Sequence, residues 1–246
     1  MFNAELKSET LKGLVYIVST LVDEVKVTVH PDSIGIKAID PAHVAMIDIS
    51  VDKEAFVSYE ADETELGLDL DKIKSVLKLA GPGDTIKMVH DPEQGRLTMT
   101  IGNIVRRMAL VDTGSLNDPK VPQVELPMSA KLSIDQLQKG IRAAESISDA
   151  DHVKIKIAPA GFELSCSGDT DLASLMVPAD ELEALEADDE AQSLYPIDYF
   201  SNIIKAISSS SVNVLLDTDL PVKLLFDLAD GHAHVTYLLA PRIESE

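Results

Sequence analysis

The order of hydrophobic periods in this chain occurs twice, and that repeat restricts the fold more than any single motif. Four stretches carry apolar residues at helical spacing. The first, 8–22, puts Leu11, Leu14, Val15, Val18, Leu21 and Val22 on one face, with Lys12, Gly13, Tyr16, Ser19 and Thr20 opposite. In the second, LDLDKIKSVLKLAG at 68–81, Ile73, Val76, Leu77 and Ala80 cluster, Lys74 and Lys78 lie on the far side, and Lys72 borders the stripe. A third is announced by Ser133 at capping-box spacing from Gln136, and gathers Ile134, Leu137, Ile141 and Ala144. Its outer face carries Asp135, Lys139, Arg142 and Ser146. The fourth opens at Tyr195 and Pro196, turning Ile197, Phe200, Ile203, Ile204 and Ile207 inward, and Asp198, Ser201, Asn202 and Lys205 outward.

Between the helices the period falls to two. Val25, Val27 and Val29, then Ile34, Ile36 and Ala38, then 44–49 read as half-buried strands. Strands are also expected at 85–89, 97–101 and 104–111, joined by DPEQG and GN, both hairpin chemistry. Helix one recurs about 123 residues later as helix three; Ile34, Ile36 and Ala38 recur as Phe162, Leu164 and Cys166 at an offset of about 128. A duplicated domain follows. The copies are expected at 1–115 and 128–246, with LNDPKVPQVELP at 116–127 as an extended connector, since its three prolines disfavour helix. The fold class is α+β: in each copy two helices pack on antiparallel sheets, with sheet edges left over.

Charge narrows the function. The chain has 42 acids against 21 bases, a net charge of -21, which favours solubility and repels nucleic acid. Molar salt would screen that charge within about 3 Å, so a halophilic source is expected. With aromatics at 4% and no Trp, the core must be built from Val, Ile, Leu, Met and Ala. A single Cys166 permits no internal disulfide and is expected as a core thiol. No signal-like leader and no run of about 20 apolar residues occurs, so a cytoplasmic protein off the membrane is expected.

Motifs for catalysis are thin. GPGD at 81–84 lacks the Lys-Ser/Thr ending of a phosphate loop and reads as a turn. The acidic run at 180–190 reads as a solvated loop. His232 and His234, with nearby Asp230, support one alternative, a small acidic two-domain metal-dependent hydrolase. Otherwise no metal and no cofactor are expected. The distribution of positive charge is more informative, because Lys12, Lys74, Lys78, Lys139, Arg142 and Lys205 all lie opposite the apolar helix faces. A merely solvated face, or an acidic mimic of DNA, would carry acids there. Asp135 and Asp198 are the main exceptions. Bases so placed meet phosphates without reading sequence, and hold weakly in high salt.

The opening MFNAELKSETLKGLV, the stretch IKAIDPAHVAMIDI at 36–49, LDLDKIKSVLKLAG, the connector and the ending YLLAPRIESE together resemble the sliding clamps of archaea and eukaryotes, the proliferating cell nuclear antigen family. The resemblance runs the full length. It implies a homotrimeric ring of six similar domains with the helices around a central hole, encircling double-stranded DNA without sequence preference. It implies a processivity factor that is not an enzyme, placed on DNA by a clamp loader and docking DNA polymerase, flap endonuclease and DNA ligase. Subunits would join head to tail through Ile104, Val105, Arg106, Arg107, Met108, Ala109 and Leu110 on one side, and Leu172, Ala173, Ser174, Leu175, Met176 and Val177 on the other. A partner-peptide pocket under the connector is implied at Ile39, Asp40, His43, Val44 and Met46, at connector residues Val121, Pro122 and Val124, and at Pro221, Leu238, Ala240 and Pro241. Two features depart from the family pattern. The connector is shorter than in eukaryotic members, and the first helix offers Lys12 alone where relatives carry several lysines.

Overall fold

Each half of the chain begins with a strand that runs without a loop into a helix. In the computed structural model, which describes residues 1–116 and 118–242, β1 (Phe2–Lys7) leads into α1 (Ser8–Val18). There follow β2 (Glu24–Val29), β3 (Ser33–Ile39), β4 (Ala45–Asp52), β5 (Ser58–Ala61), β6 (Thr64–Asp69), α2 (Leu70–Leu77), β7 (Thr85–Asp91), β8 (Arg96–Ile101) and β9 (Ile104–Ala109). The second half repeats this order: β10 (Met128–Ser133), α3 (Ile134–Ala144), β11 (His152–Ala158), β12 (Gly161–Ser167), β13 (Leu172–Pro178), β14 (Ala184–Glu186), β15 (Ala191–Pro196), α4 (Ile197–Ala206), β16 (Ser211–Leu216), β17 (Val222–Leu228) and β18 (Ala233–Leu239). Compact units form from Met1–Val121 with Asp227–Val235, and from Pro122–Phe226 with the chain from Thr236 onward.

In the first unit the strands order as β5-β1-β7-β8-β9 and as β4-β3-β2-β6, with α1 beside α2. Buried aliphatics from both sheets meet the apolar faces of the helices: Leu6, Val27, Ile47, Ile86 and Leu97 lie within reach of a core completed by Ile17, Val18, Ile73 and Leu77. In the second unit the orders are β14-β10-β16-β17-β18 and β13-β12-β11-β15, with α3 beside α4. Its core takes Leu132, Leu137, Ile141, Ile155 and Ile203, with Tyr195 fully buried and its hydroxyl donating to Leu220 O at 2.8 Å. The two units anchor their helices alike. Ser8 N donates to Asp84 O at 2.9 Å and Ile134 N to Ser210 O at 3.0 Å, so the loop after each second helix receives the first N–H of the first.

Several sequence expectations are corrected at this level. Helix α1 ends at Val18, not Val22, because Thr20 Oγ1 donates to the Ile17 carbonyl at 2.7 Å and the following N–H groups close short turns. Gly13 is buried. Ser133 makes no side-chain cap; the helix that is capped is α2, where Asp69 Oδ1 accepts from Lys72 N at 3.0 Å. Ser201 also turns inward. The acidic run at 180–190 contains strand β14. Strand β9 stops at Ala109, and Val111 instead bridges to Gly67, where a Cβ would stand 2.1 Å from Val111 O. Only glycine permits that approach.

Candidate functional site

The six helix-face bases do not stand in equivalent surroundings. Lys12 Nζ donates to Ala80 O at 2.7 Å, so its ammonium serves the carbonyl end of α2. Lys74 pairs with Asp71 at 2.7 Å, one helical turn back, and Lys72 pairs with Asp69 at 2.8 Å. Lys205 pairs with Glu145, whose carboxylate also accepts from Ser201 Oγ at 2.5 Å. Lys205 and then Ser201 hold the Glu145 carboxyl below its usual range. Lys78, Lys139 and Arg142 are exposed and enter no ion pair among the described residues. Each unit thus presents a helix pair with uncommitted positive charge, Lys78 in the first, Lys139 and Arg142 in the second. Tyr16, 42% exposed, and Leu79, 54% exposed, share these surfaces; no periodicity argument singled out Leu79.

Both strands expected at subunit contacts lie at sheet edges. Strand β9 borders its sheet in the first unit and β13 borders its sheet in the second. On β9, Ile104 and Val105 are 46% and 52% exposed, Arg106, Arg107 and Ala109 are exposed, and Met108 is buried. Leu110 N turns back to Gly95 O at 3.0 Å. On β13, Leu172 and Met176 are each 72% exposed and Ser174 is exposed, Ala173 and Leu175 are half-buried, and Val177 is buried. Helix α3 lies so close behind β13 that a Cβ on Gly140 would stand 2.9 Å from Leu175 Cδ2. Long, apolar, open edges are what soluble proteins avoid unless another strand covers them. The edge of β15 shows such cover, since Arg242 N donates to Leu194 O at 2.7 Å.

The residues expected at the peptide pocket divide between the units. In the first, Asp40 is 2% exposed and organises a turn: its Oδ1 accepts from Val44 N at 2.7 Å and Ala45 N at 2.6 Å, its Oδ2 from Ala42 N at 2.9 Å. The turn holds His43 at φ 58 and exposed, Val44 half-buried beside half-buried Ile39, and Met46 buried. Val121 is half-buried. In the second unit Pro122 is exposed, Val124, Pro221, Ala240 and Pro241 are half-buried, and Leu238 is buried at 5%. Arg242 is clasped there: its guanidinium donates to Asp151, which also engages His152 Nδ1 at 2.6 Å. Arg242 first, then His152, hold the Asp151 carboxyl down at about 2.

The histidine alternative finds no support in the arrangement of these residues. His234 Nδ1 meets Asp227 at 2.7 Å with Asp52 at 3.9 Å, while His232 contributes its carbonyl to Asp52 N. Asp230 sits in a left-handed turn at φ 56. Among the described residues no group of three His, Cys, Asp or Glu is placed to hold a metal ion. Likewise, among them no helix is long and apolar enough to cross a membrane. Cys166 is buried, with its Sγ 3.4 Å from His152 O, and burial raises its thiol pKa.

Comparison with known proteins agrees with this arrangement. The N-terminal domain of proliferating cell nuclear antigen matches residues 1–112, and its C-terminal domain matches residues 120–242. A DNA polymerase sliding clamp of Methanosarcina barkeri is 38% identical, and one of Halobacterium salinarum 35%, each covering 100% of both chains. Among solved structures, A. fulgidus PCNA, bound there to the C-terminal region of FEN-1, superposes with a TM-score of 0.93 at 30% identity, covering 100% of both chains.

Proposed function

The chain belongs to the proliferating cell nuclear antigen family and is a DNA polymerase sliding clamp, and from that premise we propose that three copies close into a ring around duplex DNA. The observation that carries the proposal is the pair of open edges. Strand β9 offers exposed Ile104 and Val105 with Arg106 and Arg107, and β13 offers Leu172 and Met176 with Asp169, Asp171, Asp180 and Glu181 at its flanks. One edge is basic and the other is bordered by acids, so β9 of one copy suits β13 of the next. Such a heterologous contact generates a ring when its rotation closes.

In that ring the faces carrying Lys78, Lys139 and Arg142 turn to the DNA, and the clamp holds its substrate by linkage. It works in the cytoplasm and performs no reaction itself. Its effect is to raise the concentration of a docked enzyme near the DNA. We assign docking to short peptides with aromatic anchors, received at the Asp40 turn (Ile39, His43, Val44, Met46), at Val121, Pro122 and Val124, and at Pro221, Leu238, Ala240 and Pro241. The partners proposed are DNA polymerase, a flap endonuclease, DNA ligase and the loader that opens the ring. Light scattering in molar salt tests the ring: a threefold chain mass supports it. A stable monomer that no loader can retain on circular DNA would refute it.

A further inference from the structure

Strands β2 and β3 turn Val25, Val27, Ile34 and Ile36 toward the α1 core. Alternation therefore places Lys26, Thr28, Gly35 and Lys37 on the opposite face. Thr28 pairs with Gly35 and Val27 with Ile36, which sets Lys26 across from Lys37. Like charges so placed repel unless an anion lies near. At Gly35 nothing stands within 4 Å of a Cβ position, so the floor is open. The result is a cleft of about 230 Å³ bordered by Lys26, Thr28, His30, Gly35, Lys37 and Asp118.

One carboxylate already occupies it. Asp118, on the connector, stands 3.3 Å from Lys26 Nζ, and Glu65 stands 3.4 Å from the same nitrogen. Burial alone would lower the Lys26 pKa, but Asp118 and Glu65 raise it on balance, which keeps the ammonium charged. Lys37 is exposed and enters no ion pair among the described residues; Asp48 is its cross-strand neighbour on β4. His30 Nδ1 lies 4.0 Å from Glu63. The Lys37 end of the cleft therefore retains free donors beside a site that already binds a carboxylate.

We propose that this cleft binds carboxylates of an acidic peptide segment, and that Asp118 is its resident, exchangeable occupant. A carboxylate replaces Asp118 charge for charge, whereas a phosphate dianion in its place would meet Glu65 with twice the repulsion. Displacing Asp118 would free the start of the connector from β2. The proposal is independent of ring closure. It is tested on the full chain by fluorescence anisotropy with a labelled, acetylated hexaglutamate peptide. The salt is set at about 0.15 M, where the Debye length is roughly 8 Å and contacts inside the cleft are not screened away. Saturable binding is expected, weakened about tenfold by Lys37→Gln, which removes a charge-assisted donor. Asp118→Asn should strengthen it about threefold by removing the competitor. Both positions are exposed, and circular dichroism checks that each variant folds. No saturable binding, indifference to both substitutions, or stronger competition by inorganic phosphate than by unlabelled peptide would each overturn the proposal.

Discussion

Asp40 shows how a buried acid can be structural within a surface proposed to bind a peptide. Three backbone N–H groups converge on its carboxylate, from Ala42, Val44 and Ala45. Removing it leaves buried or half-buried donors without an acceptor, so Asp40→Ala should lower unfolding free energy by about 3 kcal/mol. Asp40→Asn should lose roughly half of that, because its amide presents one acceptor and one misplaced donor. Denaturant midpoints measure both, and a loss below about 1 kcal/mol for the alanine variant would contradict this role. Asp40-Pro41 between two strand patterns is turn chemistry, but a resemblance that marks a position as part of a pocket does not separate a residue that touches the ligand from one that shapes the loop. The helix bases show a similar limit. A helical wheel finds the outward face, and the Asp71 partner of Lys74 follows from its spacing of three. The Glu145 partner of Lys205 lies 60 residues away in sequence, just past the end of the other helix of the pair, and no local pattern reveals it.

At the scale of elements, the repeat made the four helices and the strands beside the first and second of them readable, because hydrophobic period marks these segments. What escaped were the strands that open each half, β1 and β10, together with β5, β6, β11 and β15 to β17, the burial of Gly13, Ser133 without a cap, and the short strand β14, whose three residues are too few to show a period. The open edges carry a direct prediction. Met176, 72% exposed on β13, should be covered in the ring, so Met176→Glu would place an unpaired charge against an apolar strand. A penalty of about 3 kcal/mol at each subunit junction is expected, enough to shift light scattering toward the monomer mass while each unit stays folded. A variant that remains trimeric would show that β13 is not at the junction. The clasp at Arg242 predicts a pH response. Asp151 titrates at about 2 rather than at 3.8, so the folded form binds its proton less tightly than the unfolded form. Its contribution is present above the ordinary carboxylate range and disappears as pH falls from about 4 through 2. Exchange protection at the Arg242 amide should follow that window, and Asp151→Asn should abolish it at neutral pH. Protection unchanged between pH 5 and pH 2 would count against the clasp.

For the whole molecule, a net charge of -21 and a role around DNA look opposed until the six helix bases are separated by what holds them. Lys12, Lys74 and Lys205 are engaged within the chain, and in the proposed ring Lys78, Lys139 and Arg142 remain for phosphates. So small a set cannot supply much binding through counterion release in concentrated salt, where that gain vanishes. Linkage does not depend on salt in this way, and the two contributions can be separated. Arg142→Ala should flatten the dependence of log affinity for linear duplex on log salt by about 2.7 for a ring of three, at roughly 0.9 for each phosphate the variant leaves unneutralised. Lys205→Ala should change it by well under half as much, since that base is already neutralised by Glu145. Retention of the loaded ring on closed circular DNA at about 1 M salt should be unaffected by either substitution, and linearising the circle should release both variants as quickly as the unaltered protein. Were Arg142→Ala to shorten residence on the closed circle at that salt, attraction and not encirclement would be holding the DNA.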